Sequence, residues 1–398
     1  MNVIHGRVVS GPVSRKQRIE SLDILRGLAL FGVLYINLIR EFRVDIFQQF
    51  IRTSPAPHLI DRWIETYIPI FIELKAFALF SFLFGIGLAI QIERIQERGG
   101  PVAMLLVRRL AALFVLGIIH LTLIWNGDIL SEYALAGFIA LPFLFLPLRW
   151  LGIAAAVFIA RYIAPWPPYP ISLPSQDWLQ AHVTAAAIIL RDGNFQQIVR
   201  FEWSELTSIL PLHVFMMPRT VALFLLGAFC WRTNLFKNLH EKRHFLLASA
   251  VIGVGIGGAL TVLTSSLVPP VLFGKTDAMS AAIGELSLAL GYGCAILYAT
   301  TTELGGKMLG WAAPMGRMAF TNYILQSVIF SFLFFGWGFG LYGIRPLYTL
   351  LIGICTYVLQ VVGSAFWLRY FQFGPIEWLW RTMMYGKSQP MGIQQPLR

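Results

Sequence analysis

The hydrophobic positions of this chain lie in long blocks that short polar segments separate. A helix that crosses a bilayer needs roughly 20 mostly apolar residues, whereas a soluble amphipathic helix alternates apolar and polar faces. The blocks therefore predict an all-α, polytopic transmembrane helix bundle of about ten spans. The predicted spans are 22–39, 71–91, 109–125, 129–147, 150–164, 207–230, 245–267, 281–300, 317–336 and 346–366.

Composition agrees with this prediction and excludes an ordinary soluble domain. Hydrophobic residues make up 57% of the 398 residues, charged residues make up 13%, and the mean hydropathy is +0.67. An average soluble domain has about 25% charged residues. The net charge of +11 would suggest nucleic-acid binding in a soluble protein. Here the basic residues cluster at the ends of apolar blocks, so we expect the lipid bilayer as partner and no nucleic acid.

The distribution of Lys and Arg predicts the orientation of the bundle. With the N-terminus inside, nineteen basic residues fall in cytoplasmic segments and nine in external ones. The positive-inside rule then assigns both tails, 1–21 and 381–398, to the cytoplasmic side of a bacterial-type inner membrane. Asp23 and Arg26 interrupt the first block, and no small-residue cleavage site follows it. We therefore expect an uncleaved first helix rather than a signal peptide.

A long segment, residues 165–206, divides the chain into two five-helix halves, 22–164 and 207–380. It starts within a proline-rich stretch, APWPPYPISLP, which favours extended chain. An amphipathic helix is expected at about 178–190. In the predicted topology the segment is external, where it is either a lid over an outward-facing mouth or a connector between the halves.

The third and fourth predicted spans form a tight hairpin that carries the main site candidates. His120 follows Arg109 by eleven residues, which is about 16 Å along a helix. Asp128 lies in the short external turn, and Glu132 lies one helical turn later. A carboxylate beside an imidazole is a common general-base arrangement, because it orients the ring and stabilises its protonated form. The alternative is a histidine that bonds the backbone of a neighbouring helix.

Other polar residues in the apolar blocks are also site candidates, because polar groups are costly at membrane depth. Asp23 and Arg26 are spaced to pair on one helix face; Arg26 either belongs to a structural cap or meets an anionic ligand. Arg219 follows a proline, and either binds an anion or ties helices together. Asn322 and Gln326 share a helix face, where they either form interhelical hydrogen bonds or line a polar cavity.

No metal site is expected from the spacing of potential ligands. A second histidine is absent three or four residues from His120. His213, at the membrane or its interface, is a secondary candidate for the site. The remaining histidines are expected to be solvated in loops or tails: His5, His58, His182, His240 and His244. The three cysteines lie in apolar blocks and are expected to be small buried side chains: Cys230, Cys294 and Cys355.

Four blocks together resemble the YeiB-like bacterial membrane proteins, whose C-terminal half is a domain of unknown function. They are RIESLDILRGLALFGVLYINL, FSFLFGIGLAI, RRLAALFVLGIIHLTLIWNGDIL and GRMAFTNYILQS, and the resemblance covers about 18–385. That family looks related to transmembrane acyltransferases that include the lysosomal heparan-glucosaminide acetyltransferases. Those enzymes pass an acetyl group from cytosolic acetyl-CoA to a sugar amine across the membrane, using an intramembrane histidine.

The resemblance implies an acyltransferase with acyl-CoA as donor substrate, no bound cofactor, and a glycan or lipid acceptor. His120 would be the matching histidine and Asp128 the residue that orients it. The donor phosphates would meet Arg26, Arg108 and Arg109. Further substrate contacts are expected from Arg219, Asn322 and Gln326.

A proton-coupled transporter or exporter is the alternative function. The pair of His120 and Asp128 could then be a proton relay, and the polar residues could line a path. The chain has no internal repeat of the kind common in secondary transporters. A membrane scaffold or sensor is a third possibility, against which the intramembrane histidine argues. A cavity between the basic residues and His120 would favour the first two functions.

Overall fold

The computed structural model describes residues 19–51, 56–164, 174–265 and 275–393. Within those ranges the chain folds into α-helices, with a π-helical turn at Leu38–Phe42, 3₁₀ turns at Ile46–Phe50 and Gly310–Ala312, and no named β-strand. The all-α fold is confirmed. The helices are α1 (Glu20–Asn37), α2 (Leu59–Ile72), α3 (Lys75–Glu97), α4 (Val102–Leu123), α5 (Ile129–Leu144), α6 (Leu148–Ile163), α7 (Gln176–Asp192), α8 (Phe195–Arg232), α9 (Arg243–Ser265), α10 (Lys275–Thr300), α11 (Glu303–Leu309), α12 (Ala313–Arg317), α13 (Ala319–Phe334), α14 (Pro346–Tyr370) and α15 (Pro375–Tyr385).

The helices are those of a membrane protein. In the described part of the chain, 7 helical stretches are long and apolar enough to cross a membrane: Glu20–Phe42, Leu59–Glu97, Val102–Leu123, Phe195–Arg232, Arg243–Thr264, Ala278–Thr300 and Pro346–Tyr370. The shorter apolar helices α5 and α13 match two more predicted spans, and the 16-residue α6 matches the remaining one. Each predicted span therefore overlaps a helix, while the number of crossings stays a prediction.

The second predicted span, 71–91, contains a break between two helices. Leu74 separates α2 from α3 with a φ of 63°, which residues other than glycine rarely adopt. Glu73 lies at the break and pairs with Arg40 at 3.2 Å. Lys75 is the first residue of α3. The two charged residues of this span thus mark the end of one helix and the start of the next.

The centre of the bundle is α1, which packs against α3, α12, α13 and α14. Its most apolar stretch is 78% buried, whereas that of α9 is only 22% buried. The outer helix α9 packs on α10 and exposes large apolar side chains, among them Val251, Ile252 and Leu263. Extended apolar surface of this kind suits contact with lipid rather than water.

Glycines bring α3 and α8 into close contact. A Cβ atom at Gly85 would overlap the backbone of Phe224, and one at Gly227 would overlap the backbone of Phe82. Small residues at such positions allow two helix backbones to approach, which stabilises packing inside a membrane. Because α3 belongs to the first predicted half and α8 to the second, the halves pack into one bundle.

The predicted external segment is largely helical where the structure describes it. The amphipathic helix expected at about 178–190 is α7. The predicted boundary at residue 206 lies inside α8, which continues through Pro211 and Pro218. The proline-rich residues 165–173 lie outside the described part of the chain. The C-terminal part of the predicted segment, from residue 195, is therefore the start of a 38-residue helix.

Candidate active site

The turn between α4 and α5 positions the main candidates. α4 ends at Leu123, and Asp128 is the N-cap of α5, where its Oδ2 accepts a hydrogen bond from the backbone N–H of Ser131 at 2.7 Å. An aspartate is favoured at this position, because its carboxylate accepts a hydrogen bond from a helix N–H. Its negative charge also interacts favourably with the positive end of the helix dipole. The cap holds the carboxylate over the last turn of α4, which carries His120.

His120 and Asp128 form a buried pair. The Nδ1 atom of His120 lies 2.9 Å from Oδ1 of Asp128, and the side chains are 1% and 0% exposed. The two atoms are at contact distance without the alignment of a hydrogen bond. Acid–base pairs are often loosely aligned before substrate binds. The Nε2 atom of His120 is buried and has no hydrogen-bond partner among the described residues.

Two aromatic rings enclose the imidazole of His120. The ring of Tyr323 lies 5.4 Å from it and that of Trp125 lies 6.2 Å from it, both measured between centroids. The hydroxyl of Tyr323 accepts a hydrogen bond from the N–H of Ile129 at 3.3 Å and donates one to the carbonyl of Gly127 at 3.5 Å. Tyr323 therefore ties α13 to the hairpin turn.

A cavity of about 310 Å³ approaches this pair from the predicted cytoplasmic side. The side chains that line its far end lie beside the hairpin: Ile129, Leu130, Tyr133 and Tyr323. The basic side chains that line it are Arg26, Arg94, Arg98, Arg109, Arg317 and Arg381. Because Tyr323 contacts both the cavity and His120, one side chain separates the imidazole from the cavity.

Two of the predicted donor-binding residues, Arg26 and Arg109, line this cavity. Arg26 pairs with Asp23 at 3.0 Å, which confirms the pairing expected from their spacing. The guanidinium of Arg109 donates to Gln91 and lies 4.2 Å from the ring centroid of Trp380. These contacts hold the planar group of Arg109 in place at the cavity wall.

The structure separates the other two predicted arginines from the cavity lining. Arg108 points to α15, where it donates to the carbonyl of Met383 at 3.3 Å. Arg219 is buried and donates to Glu285 at 2.8 Å. Tyr162 donates to the other carboxylate oxygen of Glu285 at 2.5 Å. Arg219 thus ties α8 to α10, which is the structural one of its two predicted roles.

Asn322 and Gln326 also lie outside the cavity lining. The amide of Asn322 donates to Ser364 at 2.8 Å, and that of Gln326 donates to Gln360 at 2.8 Å. All four side chains are buried between α13 and α14. Interhelical hydrogen bonding, the first of the two predicted alternatives, describes these contacts.

Glu132 belongs to a second histidine–carboxylate pair. Its carboxylate lies 3.0 Å from Nδ1 of His213 and accepts a hydrogen bond from Thr220 at 2.8 Å. Asp128 is therefore the carboxylate that faces His120. His213, the secondary candidate, is positioned by α8 rather than by the hairpin.

The prediction that His182 is a solvated loop residue is wrong. His182 lies in α7, with Nε2 2.7 Å from Oε1 of Glu205 and the side chain 15% exposed. The hydrogen bond with Glu205 raises the pKa of His182. Burial and the nearby carboxylate of Glu205 raise the pKa of Asp45 to about 8. More than a hundred residues separate Asp45 from the other two, so sequence spacing carries no signal of this group.

Glu377 at the cavity was also not predicted. It accepts hydrogen bonds from the backbone N–H groups of Phe320 at 2.8 Å and Thr321 at 3.1 Å, at the start of α13. The glutamate thus caps a helix to which it is not adjacent in sequence. Burial raises the pKa of Glu377.

Comparison with known proteins identifies the family to which this chain belongs. A family described as "Protein of unknown function (DUF418)" matches residues 230–387. The uncharacterized protein YxaH of Bacillus subtilis (strain 168) is 32% identical, with 96% of this chain and 97% of that protein covered. The uncharacterized protein YeiB of Escherichia coli (strain K12) is 27% identical over 94% of this chain and 98% of its own length. The resemblance to the YeiB-like proteins is confirmed, and the chain belongs to the YeiB-like DUF418 family.

Proposed function

We propose that this protein is a transmembrane acyltransferase. It would move an acyl group, such as acetyl, from cytoplasmic acyl-CoA to a hydroxyl or amine on an external glycan or lipid. The observation that carries the proposal is the arginine-lined cavity, which runs from Arg109 to Tyr323 beside the buried pair of His120 and Asp128.

The basic end of the cavity suits an anionic donor. Six arginines line it, against two carboxylates, those of Asp23 and Glu377. Guanidinium groups bind phosphate through paired hydrogen bonds, and several together favour a ligand with several phosphates. The volume of about 310 Å³ is at the lower end of the usual range for ligand pockets. A long, narrow acyl-pantetheine arm fits a cavity of this size better than a bulky ligand does.

The pair beyond the far end, behind Tyr323, suits the transfer step. His120 Nε2 would take the proton from the acceptor hydroxyl or amine while the acceptor atom bonds to the thioester carbonyl carbon. Collapse of that intermediate breaks the carbon–sulfur bond, and the thiolate of CoA leaves with the proton from His120. Asp128 orients the imidazole and stabilises its protonated form. The step needs no reactant beyond the acyl-CoA and the acceptor.

The proposal sets the protein in the inner membrane of a bacterial cell, with both termini in the cytoplasm. The excess of Lys and Arg in the predicted cytoplasmic segments supports this orientation. The arginines of the cavity would then face the compartment that contains acyl-CoA. The membrane is part of the function, because donor and acceptor are in different compartments.

The test is acyl transfer by the purified protein in proteoliposomes with radiolabelled acetyl-CoA and a bacterial lipid and glycan extract. We expect H120A to lower the rate by about 10²- to 10⁴-fold, as the loss of a general base does. The control is H240A, since His240 is exposed in a loop. Acetyl-CoA binding by H120A should stay within about threefold of wild type, because His120 does not line the cavity.

Two results would overturn the proposal. One is full acyl transfer by H120A. The other is His120-dependent flux of a solute or of protons across the membrane with no acyl donor present, which would assign the buried pair to transport.

A further inference from the structure

Three residues that are distant in sequence converge beyond the end of α1. Asp45 precedes the 3₁₀ turn at Ile46–Phe50, His182 lies in α7, and Glu205 lies in α8. One ring nitrogen of His182 and one oxygen from each carboxylate all lie within 4.8 Å of one another. Asp45 and Glu205 are each 3% exposed, while His182 keeps limited access to the surface.

The two carboxylates are held in place by hydrogen bonds. Oδ1 of Asp45 accepts a hydrogen bond from the N–H of Phe47 at 2.8 Å. Oε2 of Glu205 accepts one from the side-chain amide of Asn126 at 2.8 Å. The second oxygen of Glu205 faces His182. Each carboxylate is thus fixed in orientation. Oε1 of Glu205 is hydrogen-bonded to Nε2 of His182 at 2.7 Å, so an ion bound there would take the place of the shared proton.

The imidazole of His182 is equally constrained. Its ring stacks on Trp178 with centroids 4.4 Å apart, and Phe201 lies on it at 5.8 Å. Phe47 meets it edge-on at 5.1 Å. The aromatic contacts fix the plane of the ring, so that Nε2 points toward Glu205. A preset ring orientation is what a metal-binding histidine needs.

The charge around these residues points independently to a cation. Glu41 and Glu202 couple electrostatically to Asp45 and Glu205, which makes four acidic side chains in a buried region. His213 lies near Glu41, and His182 lies near Asp45. His213 already pairs with Glu132 at 3.0 Å. Four carboxyl groups buried together are costly in their charged forms, and a bound cation removes that cost.

We propose that Asp45, His182 and Glu205 bind one divalent transition-metal ion, which we assign as Zn²⁺. One imidazole nitrogen and two carboxylate oxygens suit zinc, whereas Mg²⁺ and Ca²⁺ prefer oxygen ligands alone. With three protein ligands, the fourth tetrahedral position is open to water. The inference does not depend on the proposed acyl transfer.

The ion would tie three parts of the fold together. It would link the chain after α1 to α7 and α8, and so dock α7 onto the bundle. Glu202 accepts a hydrogen bond from the N–H of Asn126 at 2.6 Å, and Glu205 bonds the side chain of Asn126. Asn126 lies two residues before Asp128, so the metal site would also support the hairpin turn.

The test measures zinc binding by untagged, full-length protein in detergent after removal of metals with a chelator. After Zn²⁺ is added back and the excess is removed by desalting, we expect wild type to retain one Zn²⁺ per chain. Its thermal unfolding midpoint should rise with added Zn²⁺. The variants D45N, H182A and E205Q should each bind Zn²⁺ at least about tenfold more weakly and lose that rise. H240A should behave as wild type.

Three results would overturn the proposal. The first is wild-type protein that binds no Zn²⁺. The second is Zn²⁺ binding that survives unchanged in each of the variants D45N, H182A and E205Q, which would place the ion elsewhere. The third is displacement of Zn²⁺ by an equal concentration of Ca²⁺, which would exclude a nitrogen ligand. D45N and E205Q are near-isosteric variants. A size-exclusion profile like that of wild type would show that such a variant is folded and has lost only the metal ligand.

Discussion

Nδ1 of His120 lies 2.9 Å from Oδ1 of Asp128, while Oδ2 of the same aspartate caps α5. One carboxylate therefore both caps a helix and faces a buried imidazole. Both residues come from one local turn, because the end of α4 carries His120 and the start of α5 carries Asp128.

The double role of Asp128 yields a variant that separates chemistry from folding. In D128N the amide oxygen can still cap α5, since asparagine is as good an N-cap as aspartate. The negative charge that stabilises protonated His120 is lost, so we expect acyl transfer to fall by about 10²- to 10⁴-fold. The unfolding midpoint should change little. The same exchange at exposed Asp177, D177N, is the control, and equal rates for the two variants would contradict the role of Asp128.

Arg108 and Arg109 are sequence neighbours with different surroundings, and so form a matched pair. Arg109 lines the cavity, whereas Arg108 bonds a backbone carbonyl of α15. We expect R109Q to weaken acetyl-CoA binding by about 10- to 100-fold, the loss of a charge-assisted hydrogen bond. R108Q should change it by less than about threefold. Equilibrium binding of labelled acetyl-CoA measures both, and equal effects would argue against the cavity as donor site.

Gly85 and Gly87 form a second matched pair, on α3. A Cβ atom at Gly85 would overlap the backbone of Phe224, whereas no atom lies within 4 Å of one at Gly87. We expect G85A to lower the free energy of unfolding by about 1–3 kcal/mol, through displacement of α8. G87A should be neutral or slightly stabilising, because alanine favours helix over glycine. Unfolding in mixed micelles checks the difference between the two.

Arg219 and Glu285 are a buried ion pair, at 5% and 4% exposure. R219M leaves the carboxylate of Glu285 buried without its cation, and we expect a loss of about 3–5 kcal/mol in unfolding free energy. Adding E285Q to R219M should restore part of that stability, since the unpaired charge is removed. A double variant no more stable than R219M alone would show that the charge is not the cause.

The buried carboxyl group of Glu377 should make the free energy of unfolding depend on pH. Burial raises its pKa above the ordinary 4.5, so the folded protein binds this proton more tightly than the unfolded chain does. Its contribution is complete below the ordinary value and is lost as pH rises through the folded pKa. E377Q keeps an oxygen acceptor and stays neutral, so it should gain stability relative to wild type as pH rises. Parallel unfolding curves against pH would contradict this expectation.

The helices and the pair of His120 and Asp128 could be predicted from the sequence, because both depend on local spacing. The length of an apolar block determines whether a helix spans hydrocarbon, and each predicted block overlaps a helix. His120 and Asp128 are eight residues apart, on either side of one turn. The pair of Asp23 and Arg26 followed from helical spacing in the same way. The confirmed family followed from motifs that contain these same residues.

Only the tertiary structure decided how polar residues from different helices combine. His182 is expected in solvent when taken alone. In the fold it is partly buried and lies beside Glu205 and Asp45, which come from elsewhere in the chain. Four of the six arginines of the cavity escaped prediction because α1, α3, α12 and α15 meet only in the folded bundle. The physical reason is that hydrophobic patterning sets which side chains leave water, while the packing of helix faces sets which polar groups meet.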